Sequence, residues 1–372
     1  MPPATNHAEE LLALYARAGF DRVDPPVLQP ADAFLDLSGE EMRRTMFITV
    51  DPEGRELCLR PDLTLPVCRH YIADGSAQPR DFAYLGLVFR SDAPDGEVLQ
   101  AGVESFGRAD REVADAELLA LGLETAALWG VVDPVIRLGD AGLFATVLEA
   151  LDVPPAWRRR LIKDFARSGD LGADLAALKA QPGEGDMGAY AGVLSALAGS
   201  DPVAAHALVT DLLSIAGIST VGGRSVSEIA ERFLEQAAPG DAAGLPAEKV
   251  AVIERYLSIQ GDPDAAAREL HALAGEARLD LSAALDAFES RTNFIEAQGV
   301  AVERLRFAAA FGRPLDYYSG MVFELYDNGD TAPLVAGGRY DGLLSRLGAP
   351  SPVPAVGFAV WLDRLDAAEV RI

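Results

Sequence analysis

Strand signals occur at both ends of this 372-residue chain and nearly vanish between about residues 143 and 288, and this constrains its folding more than any other feature. A strand cannot bury its apolar face alone, so segments on either side of the block must meet in one sheet. The chain therefore reads as an α+β domain interrupted by a second unit. The expected divisions are 1–142 for the first part of the core, 143–290 for an all-helical insertion and 291–372 for the second part. Its length suits this organisation, because single cores usually stop growing beyond about 250–300 residues.

In the first part, residues 6–19 predict a helix, with Asn6 and Glu9 spaced as a capping box and Gly19 as the stop. The prolines of Asp24-Pro25-Pro26-Val27-Leu28-Gln29-Pro30 keep the next stretch extended. Met46–Val50 and Glu56–Leu59 flank Asp51-Pro52-Glu53-Gly54 and predict a hairpin. Phe82–Arg90 and Val98–Gly107 predict two longer strands, Asp115–Trp129 a helix and Val132–Leu138 a strand. The middle block is dominated by alanine and leucine, with helical periods over Asp174–Lys179, Tyr190–Ala198, Val203–Ala216, Val226–Gln236 and Lys249–Ile259. Turn residues such as Gly261-Asp262-Pro263 divide it. Strands return at Val302–Phe311, Gly320–Tyr326, Leu334–Ala336 and Val356–Val360, the last running into a helix. Gly337-Gly338-Arg339-Tyr340-Asp341-Gly342 reads as a glycine-rich turn.

The 32 basic and 57 acidic residues give a net charge of −25. A field of that sign repels polyanions, so nucleic acid is not the expected ligand. No apolar run approaches the roughly 18 residues of a spanning helix, so no membrane insertion is expected. The first residues carry no export signal, which makes the cytoplasm the default location. Cys58 and Cys68 form neither a disulfide framework nor a Cys-x-x-Cys pair and are expected to be core thiols. His7, His70, His206 and His271 are scattered, and neither a metal site nor a nucleotide-binding glycine loop is legible.

What remains are polar residues set in apolar strands, where burial without partners costs several kcal/mol. Gln100 and Glu104 lie four apart in a strand, on the same face as Gly102, whose small size leaves room between them. Arg60-Pro61-Asp62-Leu63-Thr64 follows the hairpin, and Arg313-Pro314-Leu315-Asp316-Tyr317-Tyr318 enters a later strand. Together they could bind a zwitterion, with Asp62, Thr64, Gln100 and Glu104 accepting from an ammonium while Arg313 holds a carboxylate. Singly, Arg60 and Arg339 fit structural ion pairs, Asp316 and Asp341 fit turns and Tyr317 fits the core.

Six segments carry a resemblance: Leu59–Thr64, Val88-Phe89-Arg90, Gln100-Ala101-Gly102-Val103-Glu104, Leu315–Tyr318 with Val322-Phe323-Glu324, Ala336–Leu343, and Val356-Gly357-Phe358 to Arg364. In that order they resemble the catalytic core of histidyl-tRNA synthetase, which implies a class II synthetase fold: an antiparallel sheet flanked by helices. Three departures stand out. The sequence stops eight residues after Arg364, where synthetases continue into an anticodon-binding domain. The loop after Arg90 is short and acidic, with Asp92, Asp95 and Glu97, which would repel phosphates. Trp361 stands where synthetases have a glycine beside the nucleotide.

These departures are similar to those of the ATP phosphoribosyltransferase regulatory subunits, histidyl-tRNA synthetase paralogues that lack the anticodon domain. The resemblance implies a non-catalytic subunit of the first step of histidine biosynthesis, without a cofactor of its own. It implies a homodimer within a hetero-oligomer whose short-form catalytic subunit condenses ATP with phosphoribosyl pyrophosphate, and histidine as feedback effector. By matching positions, Asp62, Thr64, Gln100 and Glu104 would surround the histidine amino group, Arg313 its carboxylate, and Tyr318 and Tyr340 its ring. Glu104 could also reach the ring. Asp62 replaces the usual glutamate and is one methylene shorter. Arg90 and Arg364 match the nucleotide arginines and would be vestigial. The alternative is a truncated synthetase-like enzyme that activates histidine with ATP.

Overall fold

A computed structural model of the chain describes residues 7–35, 44–75, 78–166, 171, 175, 220–221, 224–225, 245–313, 315, 317–327 and 331–370. In chain order, leaving aside the one-turn helices Asp32–Leu35 and Leu343–Arg346, its elements begin with α1 (Ala8–Arg17), β1 (Asp21–Arg22), β2 (Leu28–Pro30), β3 (Ile48–Val50), β4 (Glu56–Leu59) and α2 (Thr64–Asp74). There follow β5 (Arg80–Phe89), β6 (Glu97–Phe106), α3 (Arg111–Leu128), β7 (Val135–Asp140), α4 (Ala141–Ala150) and α5 (Pro155–Ala166). After them come β8 (Thr220–Val221), β9 (Arg224–Ser225), α6 (Ala247–Leu257), β10 (Gln260–Gly261), α7 (Pro263–Ala277) and α8 (Ser282–Ala297). The last are β11 (Leu305–Ala308), β12 (Met321–Tyr326), β13 (Val335–Arg339), β14 (Ala355–Trp361) and α9 (Leu362–Glu369).

Nine strands form the main sheet, in the order β1-β5-β6-β14-β13-β12-β7-β11-β10. The six from β5 to β7 are antiparallel throughout, and strands from the two ends of the sequence meet where β6 pairs with β14. Parallel pairing enters only towards the edges, at β1 with β5 and β11 with β7. The expected hairpin forms as β3 and β4, with Gly54 at φ +83° in its turn. It belongs to a separate sheet, β2-β4-β3, in which the proline-rich stretch supplies β2.

Alternation along β6 assigns the faces of the sheet. Ala101 and Val103 join the large core under α1, α3, α4, α7 and α8. Val98 and Phe106 join a second core with Leu65, Cys68 and Tyr71 of α2 and Cys58 of β4. Both cysteines are buried and unpaired.

Three differences from the expected elements are seen. Gly337 and Gly338 lie in β13 and not in a turn, because a side chain at Gly337 would come within 2.2 Å of the Gly357 carbonyl. The strand expected from Val302 starts at Leu305 after one 3₁₀ turn. Within the block read as helical, Gln260–Gly261 pairs with β11 as an edge strand. Asp262 then caps α7 through a 2.8 Å bond from the Ala265 amide, with Pro263 at the first helical position. Apart from Leu175, the periods over Asp174–Lys179, Tyr190–Ala198, Val203–Ala216 and Val226–Gln236 lie outside the described residues, as does the Asn6 cap. Lys249–Ile259 corresponds to α6.

Candidate functional site

Register builds the floor of the site. On the second-core face of the sheet, Tyr84, Gly102, Ala359, Ala336 and Glu324 lie side by side across five strands. The neighbouring row runs Phe82, Glu104, Gly357, Gly338 and Val322. Small residues in the middle of both rows keep the floor low, and acidic side chains rise towards either side. Over it lies a cavity of about 40 Å³. Asp62, Thr64, Arg90, Gln100, Glu104, Arg313, Tyr318 and Tyr340, eight of the nine residues singled out from the sequence, line it together. Arg364 does not line it. Its guanidinium stacks 4.6 Å from the Trp361 ring centre and donates to the Pro333 carbonyl at 2.6 Å, and Trp361 itself lines the cavity.

Gly102 was expected to leave room for a ligand, but the structure fills that room. A side chain at Gly102 would meet the Phe358 carbonyl at 2.2 Å and the Tyr84 hydroxyl at 2.3 Å. Tyr84 reaches across the glycine and donates to Glu104 Oε1 at 3.3 Å. Tyr340 donates to Glu104 Oε2 from above. Glu104 in turn lies over Gly357, where any Cβ would come within 1.8 Å of its carboxylate. Glu104 is 1% exposed, and burial is the main cause that pushes its carboxyl up to about 8, while hydroxyls of Tyr340, Thr64 and Tyr84 oppose the rise. Burial likewise raises Asp62, offset in part by backbone bonds and Arg90.

Several polar atoms expected to await a ligand already hold the protein together. Gln100 Oε1 accepts from the Leu63 amide at 3.0 Å, and Asp62 Oδ1 accepts from the Leu65 amide at 3.1 Å at the start of α2. The Asp62–Thr64 segment is thereby fixed over β6. Arg90 donates to the Pro61 carbonyl at 2.8 Å. On the other side, Arg313 donates from Nε to Glu324 at 3.2 Å and from a terminal nitrogen to the Tyr318 hydroxyl at 2.7 Å. Pro314 and Asp316 lie outside the described residues.

The loop after Arg90 is a tight hairpin connection, closed by the Arg90 amide on the Gly96 carbonyl at 3.0 Å with Gly96 at φ +73°. Arg60 and Arg339 are structural. Arg60 donates to the Leu87 and Pro25 carbonyls, and Arg339 pairs with Asp115 at 2.6 Å and Asp341 at 2.9 Å. Tyr317 is buried in the second core and borders the cavity. Sequence reasoning missed the roles of Glu324 and Tyr84. Glu324 could have been found as the one charge in the apolar run Met321–Tyr326, and Tyr84 by its facing position opposite Gly102.

The arrangement offers a cation two buried carboxyl groups with neighbouring hydroxyls, and it offers an anion Arg313. Among the described residues no group of three or more histidine, cysteine, aspartate or glutamate side chains is placed to hold a metal ion, and no helix is long and apolar enough to cross a membrane.

Comparison with known proteins agrees with the fold and narrows the family. The Histidyl-tRNA synthetase family matches residues 3–221 and 203–365. The chain is 41% identical over 365 residues to an ATP phosphoribosyltransferase regulatory subunit of Mesorhizobium japonicum, covering 97% of this chain and 96% of that one. It is 41% identical over 350 residues to the protein of the same name in Brucella canis, covering 93% and 92%. Among solved structures, an ATP phosphoribosyltransferase regulatory subunit/histidyl-tRNA synthetase from Bacillus halodurans superposes with a TM-score of 0.68 at 22% identity, over 98% of this chain and 78% of that one. Histidyl-tRNA synthetase from Nostoc sp. PCC 7120 gives 0.63 at 17%, over 98% and 70%. At these identities the structures speak for the class II synthetase-like fold alone.

Proposed function

This chain belongs to the family of ATP phosphoribosyltransferase regulatory subunits, within the wider histidyl-tRNA synthetase family, and we propose that it serves the first step of histidine biosynthesis by activating a short-form catalytic subunit and conferring inhibition by histidine. The condensation of ATP with phosphoribosyl pyrophosphate takes place on the partner, a glycosyltransferase. The chain works in the cytoplasm as a homodimer within the hetero-oligomer. It spans nearly the whole length of its curated relatives, and 41% identity at that coverage favours this reading over a truncated enzyme that activates histidine.

One observation carries the assignment of histidine to the cavity: acidic groups and an arginine border the same small space. Glu104 rises from β6, and Arg313 rests on Glu324 of β12, three strand spacings or roughly 14 Å away along the sheet. Side chains reaching inward from both sides fit a small zwitterion, with Asp62, Thr64, Gln100 and Glu104 towards the ammonium, Arg313 towards the carboxylate, and Tyr318 and Tyr340 at the ring. The cavity of about 40 Å³ holds two or three waters at roughly 15 Å³ each and not an amino acid, so binding displaces Arg313 or Tyr318 from their mutual contact. Trp361, stacked under Arg364, takes space on the side expected for a nucleotide, and Arg90 and Arg364 are vestiges of that site.

Arg313→Ala and Glu104→Ala test the assignment in the assembled complex. Arg313→Ala removes the charged contact to the carboxylate, and Glu104→Ala removes the carboxyl that would give up its proton as the ammonium enters; at about 1.5–3 kcal/mol for each, histidine inhibition should need at least tenfold more histidine while basal activation persists. Unchanged inhibition in both variants would move the histidine site elsewhere.

A further inference from the structure

We propose that Glu324 determines the specificity of this pocket, as an internal carboxylate that holds Arg313 when the pocket is empty and opposes the carboxylate of an incoming amino acid. The inference rests on the reading of the cavity as an amino-acid site.

Glu324 is 8% exposed and shares the floor row with Ala336, Ala359 and Gly102, so it belongs to the cavity face of the sheet. Its two oxygens are divided. Oε1 faces Nε of Arg313 at 3.2 Å, and Oε2 accepts from the Tyr326 hydroxyl at 2.5 Å. The pair with Arg313 is therefore one-sided and lacks the two-pronged geometry of the strongest arginine–carboxylate contacts. The same arginine meets the Tyr318 hydroxyl and lies 5.4 Å from the Tyr318 ring centre. Arg137, next to Glu324 in register, turns instead to the rings of Phe311 at 4.7 Å and Tyr326 at 5.7 Å. Arg364 is bound to the Pro333 carbonyl.

A ligand carboxylate reaching the terminal nitrogens of Arg313 would share that guanidinium with Glu324. Two such carboxylates, about 6 Å apart at the effective dielectric of partly buried sites, repel strongly enough to cost one to two powers of ten in affinity. The bond from the Tyr326 hydroxyl to Oε2 draws charge away from Arg313 and places the cost at the lower end, about tenfold. A ligand without a carboxylate escapes the repulsion. Glu324 thus sets how much affinity an amino acid gains from its own carboxylate.

The test compares L-histidine with L-histidinol, in which a hydroxymethyl group replaces the carboxylate. Binding of each to the full chain is measured by calorimetry for the unaltered protein, Glu324→Gln and Tyr326→Phe. Glu324→Gln should raise the preference for histidine over histidinol about tenfold. Tyr326→Phe frees Oε2 to turn onto Arg313 and should lower that preference. A fall in preference with Glu324→Gln would show that Glu324 orients Arg313 for the ligand and would overturn the proposal. An unchanged preference in Tyr326→Phe does the same even if Glu324→Gln does not fold. If both ligands bind the unaltered protein and neither variant changes their ratio, only this inference falls. If neither ligand binds, the histidine reading falls and takes the inference with it.

Discussion

Replacing Glu104 with glutamine should change how stability depends on pH. The carboxyl is 1% exposed, bonded to the hydroxyls of Tyr84 and Tyr340, and shares its cavity with Asp62. Burial lifts it from its ordinary 4.5 to about 8. The folded protein therefore keeps a proton that the unfolded chain gives up near pH 4.5. That contribution to stability is fully present below about pH 4.5 and is lost as pH rises towards about 8, after which the curve flattens. At about 1.4 kcal/mol for each pH unit, the interval amounts to roughly 5 kcal/mol. Glutamine binds no proton, so the variant lacks this slope. Asp62, also raised by burial, adds a slope of the same sign in both proteins. Urea unfolding followed by circular dichroism at pH steps from 5 to 8.5 reads the difference directly. The stability of the unaltered protein relative to Glu104→Gln should fall by about 1 kcal/mol per pH unit. Parallel curves would mean that Glu104 is ionised in the folded protein and would refute the reasoning.

Gly357→Ala would push a methyl group into the Glu104 carboxylate and the Val103 carbonyl, 2.5 Å from its Cβ, so it should lower stability by about 1–3 kcal/mol and weaken histidine binding together, read by thermal melting and calorimetry. Arg291→Met would leave Asp140, now paired with it at 2.5 Å, and part of the charge of Asp115 buried without a cation. Breaking such a pair from one side costs about 3–5 kcal/mol, and a melting temperature within a degree of the unaltered value would contradict the buried network.

The core strands were legible because their apolar runs are long and their turns carry Gly, Pro or Asp, as in β5, β6 and β12. That the two ends of the chain share one sheet could be read from strand signals on both sides of the helix-rich block, and β6 pairs with β14 accordingly. Very short elements were not: β1 and β10 have two residues each, too few for a period of two to stand out, and they exist because the edges of a larger sheet recruit them. Gly337 and Gly338 misled because glycine signals both a turn and a close approach of backbones, and only the pairing with β14 distinguishes them. Candidate site residues were legible as polar groups in apolar strands and through the family resemblance. Their mutual bonds were not, since Leu63 with Gln100, Tyr340 with Glu104 and Arg339 with Asp115 span 37, 236 and 224 residues of sequence. Nor does residue type reveal that Arg313 already rests on Glu324.

The most direct measurement is phosphoribosyl-ATP formation by the short catalytic subunit, with and without this chain, across a histidine titration. The account predicts that the chain raises activity and makes it sensitive to histidine. If the chain changes neither, while it alone catalyses histidine-dependent pyrophosphate exchange with ATP, the regulatory account is contradicted in favour of a synthetase-like enzyme.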